Sequence, residues 1–306
     1  MSDSLYDVVI VGAGPAGIQA AIHAARRKTR TLLLGRIENS ALYSAHVENY
    51  ACVDGVKGGR ELLETGLAQA VRFGAEHLRE DLLKISQQED GGLFAVETES
   101  GGRLLCRALI LAMGTAKTKL GVPGESEFSG RGVSYCVDCD ANFFRGATVL
   151  VVGSHSAAAD GALTLLDYAA KVYLAATELK VSDELLRRLT ESKVELLTGR
   201  KVKEICGNEA GVQEVVLDND EVVKTDGVFI ELGAKGALQL AAQIGVQMDM
   251  ELFKYIDVNR KQETNIPGVY AAGDITGPPY QMAKAVGEGC VAGMEAAQFA
   301  RKQRQV

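Results

Sequence analysis

The sequence predicts an α/β protein of two Rossmann-like three-layer domains, the first discontinuous and carrying a β-meander insertion. Three observations predict it. A buried-strand pattern, Tyr6–Val11, runs straight into Gly12-Ala13-Gly14-Pro15-Ala16-Gly17 and then a helical pattern. A second such strand, Thr148–Val152, runs into Gly153-Ser154-His155-Ser156-Ala157-Ala158, a damaged version of the same turn. Near the C-terminus, Gly268–Ala272 reads as a strand ending in Gly273-Asp274, which returns the chain to the first domain. A chain of 306 residues is long enough for two domains. The expected limits are 1–117 with 248–306 for the first and 118–247 for the second.

The first turn has the spacing that a nucleotide pyrophosphate needs. Gly12 permits the tight turn, Gly14 lets the backbone approach the phosphates, and Gly17 lets helix and strand pack closely. The phosphates then face a helix N-terminus, Pro15 onward, where free N–H groups and the dipole favour anions. The helix is predicted over Ile18–Arg27 and the next strand over Thr31–Leu34. That strand lacks the usual terminal acid: Gly35 and Arg36 stand there, and Glu38 is the nearest carboxylate. Residues 51–59 read as a loop, with Gly58-Gly59 opening a helix over Arg60–Phe73. Between Glu80 and Leu109, short alternating runs around Gly91-Gly92 and Gly101-Gly102 read as the meander. Ala108–Ala112 is a further buried strand, ending in Met113-Gly114-Thr115, and Lys117–Gly124 is a linker with a Pro123-Gly124 turn.

Between the two glycine-rich turns lies Cys136-Val137-Asp138-Cys139-Asp140. A C-x-x-C pair without a secretory signal is catalytic or metal-binding more often than structural. A zinc site would need a second cysteine pair or two histidines at ligand spacing, and His23, His46, His77 and His155 are dispersed, so no metal site is expected. Read as redox groups, the pair forms a disulfide that a thiolate or a reduced flavin can open. Asp140 is placed to exchange protons with a departing thiolate, or is simply a solvated loop aspartate. Cys52, Cys106, Cys206 and Cys290 stand alone and read as small buried hydrophobes.

The second turn departs from the first. His155 occupies the place of the close-approach glycine, where its side chain would fill the space of a pyrophosphate. The following strand, Lys171–Leu174, ends in Ala175-Ala176-Thr177-Glu178, where an NADPH site needs arginines for the 2′-phosphate. Glu178 would repel that group. A helix over Asp183–Glu191, strands Val194–Leu197 and Val228–Leu232, and a hairpin within Val212–Asp226 complete the unit, after which 233–245 lead back out. In the return, Asp274 ends its strand where a ribityl hydroxyl could be reached, Gly273 permits the turn, and Gln281–Met294 reads as a helix. Tyr280, just before that helix, could stack on a ring system.

Composition restricts the remaining classes. The apolar content is 47% and the formal net charge −7, which argues against a nucleic-acid surface and for a soluble cytoplasmic protein. No run approaches the ~18 apolar residues of a membrane span. The stretch Val8–Val11 breaks at Gly12 without a basic leader, so no signal peptide is expected.

Over nearly its whole length the chain resembles the low-molecular-weight thioredoxin reductase family. The resemblance rests on Gly12–Gly17, Val47–Tyr50, Leu120–Gly124, Gly130–Asp140 with Asn142–Gly146, and Gly268–Asp274. It implies a homodimeric FAD-dependent disulfide oxidoreductase, with an FAD domain built from both chain ends and a smaller inserted domain holding the dithiol. It implies FAD contacts at Gly12, Gly14, Ala16, Gly17, Leu42, Asn49, Gly114, Asp274 and Gln281, with Pro15, Gly273 and Tyr280 beside them. Cys139 resembles the cysteine nearer the flavin, Cys136 the interchange thiol facing a thioredoxin-like protein or other dithiol, and Asp140 the acid–base group. NADPH-dependent members carry a glycine where this chain has His155, His-Arg-Arg across Ala176-Thr177-Glu178, often Arg-Gln at Tyr280-Gln281, and Gly-Gly at Asn39-Ser40. NADPH is therefore not expected to carry over. Two NADPH-independent branches stay open: one takes electrons from ferredoxin, the other holds a second FAD against the first. The ferredoxin-linked type can cover its flavin with an aromatic C-terminal tail. Here no aromatic follows Phe299, which with Tyr280 tilts the reading toward a second flavin. NADPH-dependent thioredoxin reduction and a non-catalytic flavin redox sensor are the remaining alternatives.

Overall fold

The β-branched run at the start of the chain becomes a central strand because both its faces are covered, as a parallel sheet requires. The computed structural model describes residues 4–88, 92–115, 119–250 and 254–304. In chain order it begins with β1 (Ser4–Val11), α1 (Pro15–Arg26), β2 (Thr31–Leu34), β3 (His46–Val47), β4 (Lys57–Gly58), α2 (Gly59–Arg72), β5 (Glu76–Leu78), β6 (Leu82–Gln87), β7 (Phe94–Thr98) and β8 (Arg103–Leu111). Val8, Val9 and Ile10 are fully buried. The sheet order is β5-β2-β1-β8-β7-β6, parallel as far as β8 and antiparallel through the meander β6-β7-β8.

The middle of the chain builds a second sheet. It contains β9 (Val133–Ser134), α3 (Val137–Asp140), β10 (Thr148–Val152), α4 (Ser156–Leu165), β11 (Lys171–Ala176), α5 (Asp183–Thr190), β12 (Glu195–Thr198), β13 (Val202–Asn208), β14 (Gly211–Leu217), β15 (Val222–Lys224) and β16 (Gly227–Ile230). The parallel order is β12-β11-β10-β16-β9, and β13-β14-β15 form a separate antiparallel sheet. The fully buried Val149 and Val151 face α4, while Leu150 joins the core shared with the antiparallel strands.

The return begins with α6 (Ala237–Ala242), followed by β17 (Val269–Ala271) and α7 (Met282–Gln303). β8 changes neighbour along its length. Its first half pairs with β7, and Leu109–Leu111 pair with Val269–Ala271. The chain thus divides into two compact units: Met1–Thr98, Gly102–Ala116 and Gly236–Val306 in one, Glu99–Gly101 and Lys117–Lys235 in the other. The first expected crossing, at 117/118, lies outside the described residues. The second falls at Gly236 rather than at residue 248, because Ala237, Leu240, Ala241 and Val246 are buried in the core of the first unit with Val9 and Leu109.

Helix α7 runs nine residues beyond the expected Met294. Its buried stripe continues through Ala296, Ala297 and Ala300, so burial carries the helix on. This helix lies on α1 at backbone contact. A Cβ on Gly289 would stand 2.1 Å from the Ala16 carbonyl oxygen, and one on Gly293 would stand 2.3 Å from that of Ala20. Gly293→Ala is therefore expected to lower stability by about 2 kcal/mol, read as a shift of the urea midpoint. An unchanged midpoint would mean that the helices can separate freely. The end of α7 is also tied to β1: the buried Asp7 carboxylate accepts the Arg304 Nε–H at 2.6 Å and the Arg30 backbone N–H at 2.6 Å.

Candidate functional site

The first turn forms as its spacing predicts. Gly12 has φ +109°, and a Cβ there would meet the Ala112 carbonyl oxygen at 2.4 Å. Gly14 is the N-cap of α1, no side chain caps it, and Pro15 opens the helix. A Cβ on Gly17 would lie 1.8 Å from the Gly12 oxygen. Gly12 and Gly14 are half-buried and Ala13, Ala16 and Gly17 buried, so the turn presents backbone rather than long side chains, the kind of surface that a dinucleotide diphosphate requires.

The C-terminal return meets the same place. A Cβ on Gly273 would lie 3.0 Å from the Ala16 Cβ, so the Gly273-Asp274 turn stands at the head of α1. Lys284 and Glu288, one turn apart on α7, hold it. The Lys284 ammonium donates to the Gly273 and Gly277 carbonyls at 2.8 and 2.6 Å, and Glu288 accepts the Gly273 N–H at 2.8 Å. Burial pushes the Asp274 carboxyl above its usual range, with Lys284 opposing and Glu288 adding. Asn49 Nδ2 donates to Gln281 Oε1 at 3.0 Å, joining two candidates far apart in sequence. Tyr280 is half exposed and its hydroxyl touches that of Tyr255. Leu42 is packed over the start of α2, where a Cβ on Gly59 would strike its carbonyl oxygen at 1.7 Å. Gly114 has φ +69° with open space about it. These residues fit an FAD: a bare diphosphate turn, a carboxyl for a hydroxyl, and side-chain amides at the edge.

In the second unit Cys136 and Cys139 form a disulfide. Cys136 is extended and caps the single turn α3, its Sγ accepting the Cys139 N–H at 3.2 Å. Cys139 is exposed and Cys136 half-buried. Asp140 is not a solvated loop aspartate. Its Oδ2 accepts a 2.6 Å hydrogen bond from the Ser134 hydroxyl, whose oxygen accepts the Cys136 N–H at 3.1 Å. One buried serine therefore holds both the acid and the backbone of the first cysteine. Val137, between the cysteines, donates its N–H to Glu231 Oε1 at 3.1 Å.

The second turn has the shape of a nucleotide turn with altered chemistry. His155 is the N-cap of α4, and the Ala157 N–H near its start is taken by the Gly233 carbonyl at 3.4 Å. The Ser154 carbonyl accepts the Lys180 N–H at 2.7 Å, so the segment after β11 is drawn onto this turn. Thr177 and Glu178 are exposed there, and Glu178 pairs with Lys180 at 3.3 Å.

Several features escaped sequence reasoning. Ser134 lies within the Gly130–Asp140 motif but had no role there, Glu231 and Lys235 belong to no motif, and only the fold brings the three to the redox turn. Phe143 lay inside a quoted motif without a role; it is 82% exposed, whereas Phe144 packs edge-on against Phe229. Of the lone cysteines, Cys106 is buried, which pushes its thiol up to about 12. Cys206 and Cys290 are half-buried, and Cys52 is exposed on a loop at φ +68°, contrary to its reading as a core residue. Among the described residues, no group of three or more His, Cys, Asp or Glu could hold a metal, and no helix is long and apolar enough to cross a membrane.

Residues 6–289 match the family described as pyridine nucleotide-disulphide oxidoreductase. The thioredoxin reductase of Listeria innocua is 33% identical over 314 residues, spanning 99% of this chain and 96% of its own length. The crystal structure of the atypical thioredoxin reductase from Desulfovibrio vulgaris Hildenborough superposes with a TM-score of 0.81 at 35% identity, over 97% of this chain and 98% of that one. A ferredoxin-flavin thioredoxin reductase from Clostridium acetobutylicum gives a TM-score of 0.68 at 33% identity, over 98% and 99%. With its bare diphosphate turn in one unit and its C-x-x-C disulfide in the other, the chain belongs to the pyridine nucleotide-disulphide oxidoreductase family, as an FAD-dependent oxidoreductase of the thioredoxin reductase type.

Proposed function

We propose that this protein exchanges electrons between FAD and the Cys136–Cys139 disulfide, and then with a thioredoxin-like protein or other dithiol, without using NADPH. The observation that carries the reading is an ordered redox turn in a unit whose own nucleotide crevice presents His155 and Glu178 to a pyridine nucleotide phosphate. Gly12, Gly14, Pro15, Ala16, Gly17, Leu42, Asn49, Gly114, Gly273, Asp274 and Gln281 would hold the FAD, which when bound supplies or accepts the electron pair.

The chain's own residues do the rest. Two electrons and two protons convert the disulfide into two thiols. One of them, deprotonated, attacks a disulfide sulfur of the partner, forming a mixed disulfide and expelling the partner's other sulfur as a thiolate. The second cysteine then attacks the mixed disulfide, restoring Cys136–Cys139 and releasing the partner as a dithiol. Asp140, held by Ser134, gives and takes the protons at sulfur. The resemblance assigns the attack on the partner to Cys136, and the exposed ring of Phe143, four residues past Cys139, offers an apolar landing point for a protein partner. A reducing cytoplasm and a homodimer complete this reading.

Two electron sources fit. The Tyr255–Tyr280 pair favours a second flavin, since the exposed Tyr280 ring before α7, backed by the half-buried Tyr255, offers a surface on which a planar ring can stack. Likeness to the ferredoxin-flavin enzyme favours reduced ferredoxin. Anaerobic mixing with excess NADPH is expected to leave the flavin absorbance unchanged over minutes, while dithionite bleaches it. Stoichiometric bleaching by NADPH within seconds would sink the NADPH-independent reading. Flavin released by denaturation at two per chain would select the second-flavin route.

A further inference from the structure

Lys235 is the last residue of the second unit, yet its charge lies beneath the redox turn. Its side chain is only 9% exposed. The ammonium stands 2.9 Å from Asp138 and 3.1 Å from Asp160 of α4. Asp138 is one of the two residues between the cysteines, and the other, Val137, has its N–H bound by the buried Glu231. Both residues of the C-x-x-C interval are thus gripped from the same stretch, just past β16: the backbone of Val137 by Glu231, the side chain of Asp138 by Lys235.

A buried ammonium is costly unless it is well paired. Burial draws the Lys235 pKa down, but Asp160 and Asp138 outweigh it and hold the pKa above its ordinary value. The lysine therefore stays charged at any working pH. Among the described residues, the other charged groups on α3, on α4 and in the stretch just past β16 are Asp138, Asp140, Asp160 and Glu231. All four are carboxylates, and negative charge beside a cysteine disfavours its thiolate.

We propose that Lys235 is a positioning residue for the redox reaction: it fixes the turn between Cys136 and Cys139 and offsets the carboxylates around it, so that the opened pair gives a thiolate. The role does not depend on which donor reduces the pair.

The test uses full-length, flavin-loaded protein in a Cys52→Ser background. The pair is reduced with dithiothreitol, which is then removed anaerobically, and alkylation of the Cys136–Cys139 peptide by iodoacetamide is followed by mass spectrometry from pH 5 to 10. Lys235→Met is expected to slow alkylation at pH 7 about tenfold and to move the profile upward by roughly one pH unit. Lys235→Arg should restore the rate to within about threefold, because the charge returns. Asp138→Asn should move the profile the opposite way, since it removes a carboxylate beside Cys139 and leaves the lysine. That opposite displacement is the signature of charge acting on sulfur; a lysine that only braces the fold would lower the melting temperature and leave both profiles in place. Profiles within about threefold of the parent for Lys235→Met overturn the proposal. If Lys235→Met does not fold, an unmoved or upward-moved Asp138→Asn profile overturns it.

Discussion

Asp140→Asn is expected to slow turnover of a protein or small disulfide by about 10²–10⁴-fold, with flavin content and melting temperature unchanged. The expectation follows from how the residue is held. Ser134 donates to Asp140 Oδ2 at 2.6 Å, and an asparagine oxygen can accept the same bond, so the geometry survives. What is lost is a group that can exchange a proton with sulfur when the S–S bond opens or closes. Single-turnover stopped-flow is the measurement: the dithionite-reduced protein is mixed with a disulfide substrate, and reoxidation is followed. Ser134→Ala should produce a smaller loss, about tenfold, because it frees Asp140 without removing it. A rate for Asp140→Asn within threefold of the parent would return the residue to a structural role.

The two variants also show how much of the site was legible in sequence. Asp140 could be picked out because it adjoins Cys139. Ser134 could not, because a serine two residues before a cysteine has many uses, and only the bend from β9 into α3 points it at the carboxylate. Lys235 was less visible still. It lies 96 residues beyond Cys139, in a stretch read as a plain exit from the second domain. The nucleotide turn was legible because its spacing is local, three glycines within one strand–turn–helix, although only Gly17 meets its close contact, the Gly12 carbonyl, inside that unit; Gly12 meets Ala112, just past β8. The partners of that turn come from the far end of the chain, and only the Gly-Asp motif announced them. Lys284 and Glu288, which hold that motif, read as ordinary helix residues.

The fold was legible by the same rule. Strands buried on both faces, such as β1 and β10, are continuous β-branched runs and stand out. Helix α4 is apolar over most of its surface, with Ala157, Ala158, Ala159 and Ala162 buried and only Asp160 and Thr164 polar past its first residue, so it shows little of the 3.6-residue alternation that reveals a surface helix. Helix α6 is six residues long and settles by packing rather than by propensity. Its burial with β1 and β8 moves the second boundary to Gly236. The end of α7 could not be read because its continuation depends on α1 lying beneath it.

The nucleotide turn carries the second large prediction. Gly17→Ala is expected to purify with less than about a tenth of the parent's flavin and to lose roughly 3 kcal/mol of stability. Its new Cβ would stand 1.8 Å from the Gly12 carbonyl oxygen, so the first turn of α1 must leave the end of β1. Nothing nearby can yield. Gly12 is itself wedged against the Ala112 carbonyl, and Ala16 is pinned by Gly273 at its Cβ and by Gly289 of α7 at its backbone. A shift at Gly17 therefore displaces the diphosphate turn, the Gly273-Asp274 turn and the α7 contact together. Flavin loss then adds to the damage, because a ligand that binds only the folded form contributes its binding free energy to stability. Absorbance of flavin released by denaturation measures the first effect, and thermal melts with and without added FAD separate the second. Gly287→Ala is the control: a Cβ there has no neighbour within 4 Å, so the variant should keep its flavin and gain up to about 1 kcal/mol from helix propensity. Full flavin in Gly17→Ala would remove this turn from the flavin site, and equal losses in both variants would assign the effect to α7 rather than to the cradle.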